Sequence, residues 1–217
     1  MQTNMKRMLY AVVFAASLLF NGYHLKAQAV NEMFSKGDNV LGLGVGLAGT
    51  YNYGGGGEGS GSSFKQSPSY LLTYEHASID PGGSIAIGFG GYISYLSSSL
   101  SWTDGPYSYS DNYSFEFLMA RASFHYKVRY SAKVDPYAGL TIGYVLDQHN
   151  LVTGDPAVSH VGDPGYSAYS ASPPSPLEYG AYLGARYYFT DNFGIWAELV
   201  IMNNAYNYIG FGINFKL

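Results

Sequence analysis

From about residue 39 to the end of the chain, apolar side chains recur at every second position. Leu41, Leu43, Val45 and Leu47 alternate with Gly42, Gly44, Gly46 and Ala48. Ile209, Phe211, Ile213, Phe215 and Leu217 alternate with Tyr208, Gly210, Gly212, Asn214 and Lys216. A period of two puts successive side chains on opposite faces of a β-strand. Eight such segments are predicted: Val40–Tyr51, Ser69–Ala77, Ser84–Leu96, Phe117–Tyr130, Tyr137–Leu146, Glu178–Phe189, Gly194–Ile201 and Tyr208–Leu217. Most reach the ~9–11 residues of a tilted membrane-crossing strand.

The connections alternate in length. Those after the second, fourth and sixth segments are tight: 78–82, 131–135 and 190–193. Those after the first, third and fifth are long: 52–68, 97–112 and 147–176. Only the last, near 202–206, breaks the alternation by being short. Short turns at one end and long loops at the other are the arrangement of Gram-negative outer-membrane barrels. The two faces differ in charge as well. The apolar set, including Tyr70, Leu72, Tyr74, His76, Ile87, Phe89, Ile93, Leu118, Phe124, Leu140, Ile142, Tyr179, Leu183, Ile195 and Leu199, holds no fixed charge. The opposite set holds Glu75, Arg121, Lys127, Arg129, Glu178, Arg186, Glu198 and Lys216. A Lys or Arg at a bilayer midplane costs about 2–4 kcal/mol. The pattern therefore predicts an all-β fold, an eight-stranded antiparallel up-and-down transmembrane β-barrel, greasy outside and polar inside, with first strand closing on last because an open edge is not tolerated in hydrocarbon. Tyrosines at segment ends (Tyr51, Tyr70, Tyr95, Tyr130, Tyr144, Tyr179, Tyr187) fit an aromatic girdle.

Composition supports this reading. Only 12% of residues are charged, against about 25% in an average soluble domain. There are 23 Tyr, 28 Gly and no Cys, which excludes a disulfide scaffold. Lys6-Arg7, the apolar run Met8–Phe20 and Ala27-Gln28-Ala29 read as a signal peptide over 1–29, cut after Ala29, rather than an uncleaved membrane helix. Cleavage would take the net charge from −4 to −7, because Lys6, Arg7 and Lys26 leave with it. Such a chain is unsuited to nucleic acid. Residues 30–38 form a periplasmic lead and 39–217 the barrel domain.

Several stretches resemble the small OmpA/OmpX-like outer-membrane barrels: Asp135-Pro-Tyr-Ala-Gly-Leu-Thr-Ile-Gly-Tyr144, Gly184 to Glu198, and the C-terminal Gly212-Ile-Asn-Phe-Lys-Leu217, which is similar to the sorting signal read by the barrel-assembly machinery, with Leu where Phe is commoner. The resemblance implies an eight-stranded outer-membrane barrel without the peptidoglycan-binding domain of longer relatives. It does not imply one activity, since the fold carries adhesins, structural proteins and a few enzymes. The partners expected are outer-membrane lipids and lipopolysaccharide, the assembly machinery, and an extracellular protein or glycan.

Candidate chemistry is thin. Glu75, Arg121, Lys127, Glu178, Arg186 and Glu198 form an expected interior charge network. Placing Phe189 opposite Ile195 sets Arg186 opposite Glu198. An eight-stranded barrel is wide enough only for side chains, so a polar plug is favoured over a gated pore. His76-Ala77-Ser78 is similar to part of a lipid A deacylase site, yet no acidic orienter accompanies it, and an interfacial His is the reading preferred. Asp147, His149, Asp155, His160 and Asp163 share the third long loop at spacings that match no metal motif. No catalytic residue, cofactor or metal is expected. Trp102, Tyr107, Tyr109, Tyr113, Tyr166 and Tyr169 are the candidate surface contacts, as exposed loop aromatics suited to protein or glycan. The function expected is structural or adhesion-like. A lipid A-modifying enzyme, a small gated pore and a soluble lipocalin-like carrier stand as alternatives.

Overall fold

The computed structural model describes residues 34–48, 62–104, 106–128, 131, 133–153, 176–203 and 206–217. Nine strands are assigned within them: β1 Asn39–Ala48, β2 Ser63–Gln66, β3 Ser69–Ile79, β4 Ile85–Asp104, β5 Tyr107–Tyr126, β6 Val134–Thr153, β7 Leu177–Tyr188, β8 Phe193–Met202 and β9 Tyr208–Lys216. All pairings are antiparallel. The ring runs β4-β3-β1-β9-β8-β7-β6-β5 and closes through β4–β5. Strands β2 and β3 pair with successive stretches of β4, in line. The interruption falls at Ser67-Pro68, where proline has no N–H for the ladder. The two count as one wall position, so the barrel is eight-stranded and closed.

The apolar stripe faces outward on every strand. Leu43, Leu72, Phe89, Ile93, Leu118, Leu140, Ile142, Ile209 and Phe211 are exposed, Leu118 and Leu140 to 63% each. The interior is filled by Leu71, Tyr92, Phe117, Met119, Tyr137, Tyr182, Val200 and Tyr208 together with the buried polar groups. Strand β1 is nearly bare on its inner face, and that has a cause. A side chain at Gly44 would collide with the Trp196 indole, whose Nε1 donates to the Ile213 carbonyl at 3.2 Å. Trp196 from β8 thus occupies the room that the glycines of β1 leave.

Three expectations are corrected. The stretch 97–112 is not a loop. Strands β4 and β5 run on as a paired hairpin to Asp104 and Tyr107, and β6 follows β5 out to Thr153. Its Ser and Tyr residues alternate with period two, and Ser, Thr and Tyr pair well across strands; serine richness hid that alternation. Within the first long connection, β2 adds a strand that was not expected. The register of β7 and β8 also differs: Tyr187 pairs with Ile195, so Arg186 lies opposite Trp196 and Glu198 opposite Gly184. Here the turn tightens because Thr190 Oγ1 accepts from the Asn192 and Phe193 amides and Phe189 N–H donates to the Phe193 carbonyl. The longer and added strands also break the charge segregation, at Glu116 and at exposed Lys65 of β2, whose partner Ser99 has the outward parity of Ile93. Glu116 is exposed on the outer face, between Tyr95 and Leu146.

Candidate functional site

Period-two alternation sends the odd residues of β5 inward, and two of them organise the lumen. Arg121 Nη2 donates to Glu198 Oε2 of β8 at 2.5 Å. The guanidinium lies over the Tyr182 ring at 3.8 Å, with Tyr92 at 5.9 Å. Tyr182 is held in turn by a 2.6 Å bond with Ser123. Glu178 is fully buried on β7.

One turn of the wall nearer the tight-turn end, His125 sits between two carboxylates. Its Nδ1 is 2.7 Å from Asp135 Oδ1 and its Nε2 is 2.9 Å from Glu75 Oε1. Carboxylate oxygens only accept, so the ring that satisfies both is the imidazolium. Arg186 bonds the other oxygen of each carboxylate: Nη1 donates to Asp135 Oδ2 at 3.2 Å and Nη2 to Glu75 Oε2. Two anions thus meet two cations, and Arg121–Glu198 balances separately. Buried charge survives only when paired and hydrogen-bonded in this way.

Above this quartet lies Phe34, stacked on His125 with centroids 3.7 Å apart at 20°. It is buried against Val40, Ala77 and Ala86. The lead behind it is pinned by Asp38. Asp38 Oδ2 accepts from Ser35 N at 2.9 Å and Ser35 Oγ at 3.2 Å, and lies 3.4 Å from Lys216 Nζ. Gly37, at φ +99°, lets the chain reverse there and donate to the Ala77 carbonyl at 2.8 Å. The aromatic ring covers the charge cluster, with Arg186 Cζ 5.6 Å from its centroid. At the other end, the void bounded by Tyr92, Phe117, Tyr206 and Tyr208 holds only about 20 Å³, room for about one water.

Of the expected network, Glu75, Arg121, Arg186 and Glu198 come together in these two groups. Lys127 lies beyond β5 and pairs with Asp80 at 2.6 Å. That bond, with the Gly82 amide behind it, holds the Asp80 carboxyl below its usual range. His125, Asp135 and Phe34 were missed. His125 shares the parity of Arg121, which would have found it; Asp135 was read as a turn residue and Phe34 as part of a lead. The pair His76-x-Ser78 is not assembled for attack: Ser78 Oγ donates to the His76 carbonyl at 3.3 Å, and His76 Nδ1 contacts Asn39 Oδ1 at 3.0 Å.

The candidate surface aromatics largely face inward. Trp102 stacks on Tyr109 across the hairpin, 5.2 Å apart at 7°. Tyr109 and Tyr113 are buried, and Tyr113 donates to Asp111 at 2.6 Å. Tyr107, at the tip, is 38% exposed. Tyr166 and Tyr169 lie outside the described residues, as do Asp155, His160 and Asp163. Among the described residues no group of three or more His, Cys, Asp or Glu is placed to hold a metal.

The geometry defines a class: a closed antiparallel eight-stranded barrel with an apolar exterior and a charge-compensated, filled interior. No family model matches the chain, and no curated protein does. Among solved structures it is similar to a de novo designed transmembrane β-barrel (14% identity, TM-score 0.43, 84% of this chain and 98% of that one). It is also similar to OprG of Pseudomonas aeruginosa (11%, 0.42, 85% and 97%) and to the attachment invasion locus protein Ail of Yersinia pestis (11%, 0.39, 84% and 99%).

Proposed function

We propose that this protein is an integral outer-membrane barrel with a structural or surface-interaction role, its wall bathed in lipid and its extended hairpin facing outward. The observation that carries the reading is the continuous apolar belt, exposed on β1, β3 to β9, with the paired ions held inside it. A soluble barrel would expose the reverse pattern. Outer-membrane lipids, lipopolysaccharide and the barrel-assembly machinery, engaged through β9, are its partners in this reading, with an extracellular protein or glycan at the hairpin. The reading assigns it no catalysis. The test is membrane fractionation with heat-modifiable gel mobility: a folded barrel migrates differently before and after boiling and stays with the outer membrane. Recovery in the soluble periplasmic fraction overturns it.

A further inference from the structure

At the tight-turn end, the inner face of β3 and β4 carries the smallest side chains. Ala77 of β3 pairs with Gly88 of β4, and Ala86 of β4 pairs with His125 of β5. Together they leave a socket in the wall, and Phe34 fills it. Phe34 is 3% exposed, and a Cβ at Gly88 would stand 2.9 Å from its Cζ. The plug comes from the lead, ahead of β1, and the path between them is fixed by hydrogen bonds. Asp38 extends the pairing of β1 with β3: the Ala77 amide donates to its carbonyl at 2.9 Å. Gly37 then turns the chain back under the barrel. On the other side of β1 lies the last strand of the wall. Leu217 N–H donates to the Asn39 carbonyl at 2.8 Å, and the Asp38 carboxylate reaches across to Lys216 Nζ.

We propose that residues Phe34–Asp38 form a strap that locks the β1–β9 seam. This seam is the pairing whose two strands lie farthest apart in the chain, so it closes the longest loop and carries the largest closure entropy. It is also where both ends of the barrel sequence meet, and chain ends fray unless tied down. The strap engages only when the ring is complete. Its socket needs β3, β4 and β5 side by side, and its anchor needs Lys216 of β9 beside β1. Its stabilisation is therefore local to the seam and conditional on closure. With Phe34 out of the socket, β1 and β9 fray from the tight-turn end while the rest of the wall stays paired. The strap requires the closed ring and no particular surface role.

Detergent-purified protein is digested briefly with trypsin, and the product beginning at Gly37 is followed by mass spectrometry alongside hydrogen–deuterium exchange. Lys36 is exposed, so cleavage after it is limited by release of the backbone around it. Phe34→Ala, which empties the socket, and Asp38→Asn, which weakens the anchor, each raise that cleavage severalfold. Both also speed exchange in β1 and β9 severalfold, while exchange in the β5–β6 pairing keeps the wild-type rate and heat-modifiable mobility is retained. Ala86→Leu, which fills the socket from β4, gives the same pattern with the strap itself unaltered. Unchanged seam exchange in these variants, or exchange that rises equally around the ring, overturns the strap. Wild-type cleavage after Lys36 as fast as in Phe34→Ala overturns it too. Should Phe34→Ala fail to fold, Asp38→Asn decides, because it leaves the socket filled.

Discussion

Glu75 on β3 and Arg186 on β7 are tied across the lumen from strands four places apart in a ring of eight. Such ties are costly to break one-sidedly. Removing one member of a buried pair strands the other, at about 3–5 kcal/mol. Glu198→Ala is therefore expected to lower the unfolding free energy by about 3–5 kcal/mol in urea titrations of vesicle-inserted protein. Replacing both partners, Arg121→Met with Glu198→Leu, should recover most of that loss. The Asp80–Lys127 bond behaves differently because it is only partly shielded. The Asp80 carboxyl is lowered mainly by the Lys127 hydrogen bond, so its stabilisation is present above the unfolded value of about 3.9 and lost as pH falls through the lower folded value. The difference in melting midpoint between wild type and Asp80→Asn should be full near neutrality and vanish on strong acidification. A difference that grows in acid would contradict the assignment.

At the scale of elements, the fit of β1 against β8 depends on size rather than polarity. Gly44→Val pushes into the Trp196 ring. Overpacking of this kind costs about 1–3 kcal/mol, and a shift in tryptophan emission should accompany it. The β4–β5 hairpin is a different kind of element, because its outer half is not needed to close the wall. Replacing residues 99–112 by Asn-Gly joins Ser98 to Tyr113, a directly paired position, through a turn that suits the strand twist. The shortened protein is expected to keep its heat-modifiable mobility, while losing the Trp102–Tyr109 stack. Loss of folding would show that the outer hairpin belongs to the barrel's own stability.

For the whole molecule, the filled lumen has a functional consequence. The charge quartet under Phe34 fills one part of the lumen, and toward the other end the void between Tyr92, Phe117, Tyr206 and Tyr208 holds only about 20 Å³. Wild-type protein in planar bilayers should give no steady single-channel current. Steady current altered by Glu198→Ala would establish the gated-pore alternative instead.

Which face each residue takes was legible in the chain itself, because the alternation of side chains along a strand is covalent geometry and needs no partner. That is why Leu43, Ile93 and Phe211 could be set outside and Arg121 and Glu198 inside from letters alone, and why the barrel and its closure followed. Hairpin length was not legible, since Ser-rich strands and Ser-rich loops share a composition. Nor were the pairings. Arg186 meets Glu75 and Asp135 rather than Glu198 because the register of β7 on β8, set by a turn capped by Thr190, decides which rungs coincide. His125, Asp135 and Phe34 converge only once closure brings β3, β5, β6 and the lead around one lumen. Sequence alone determined the sidedness of the wall; closure and register, which are properties of many strands at once, decided which charges meet.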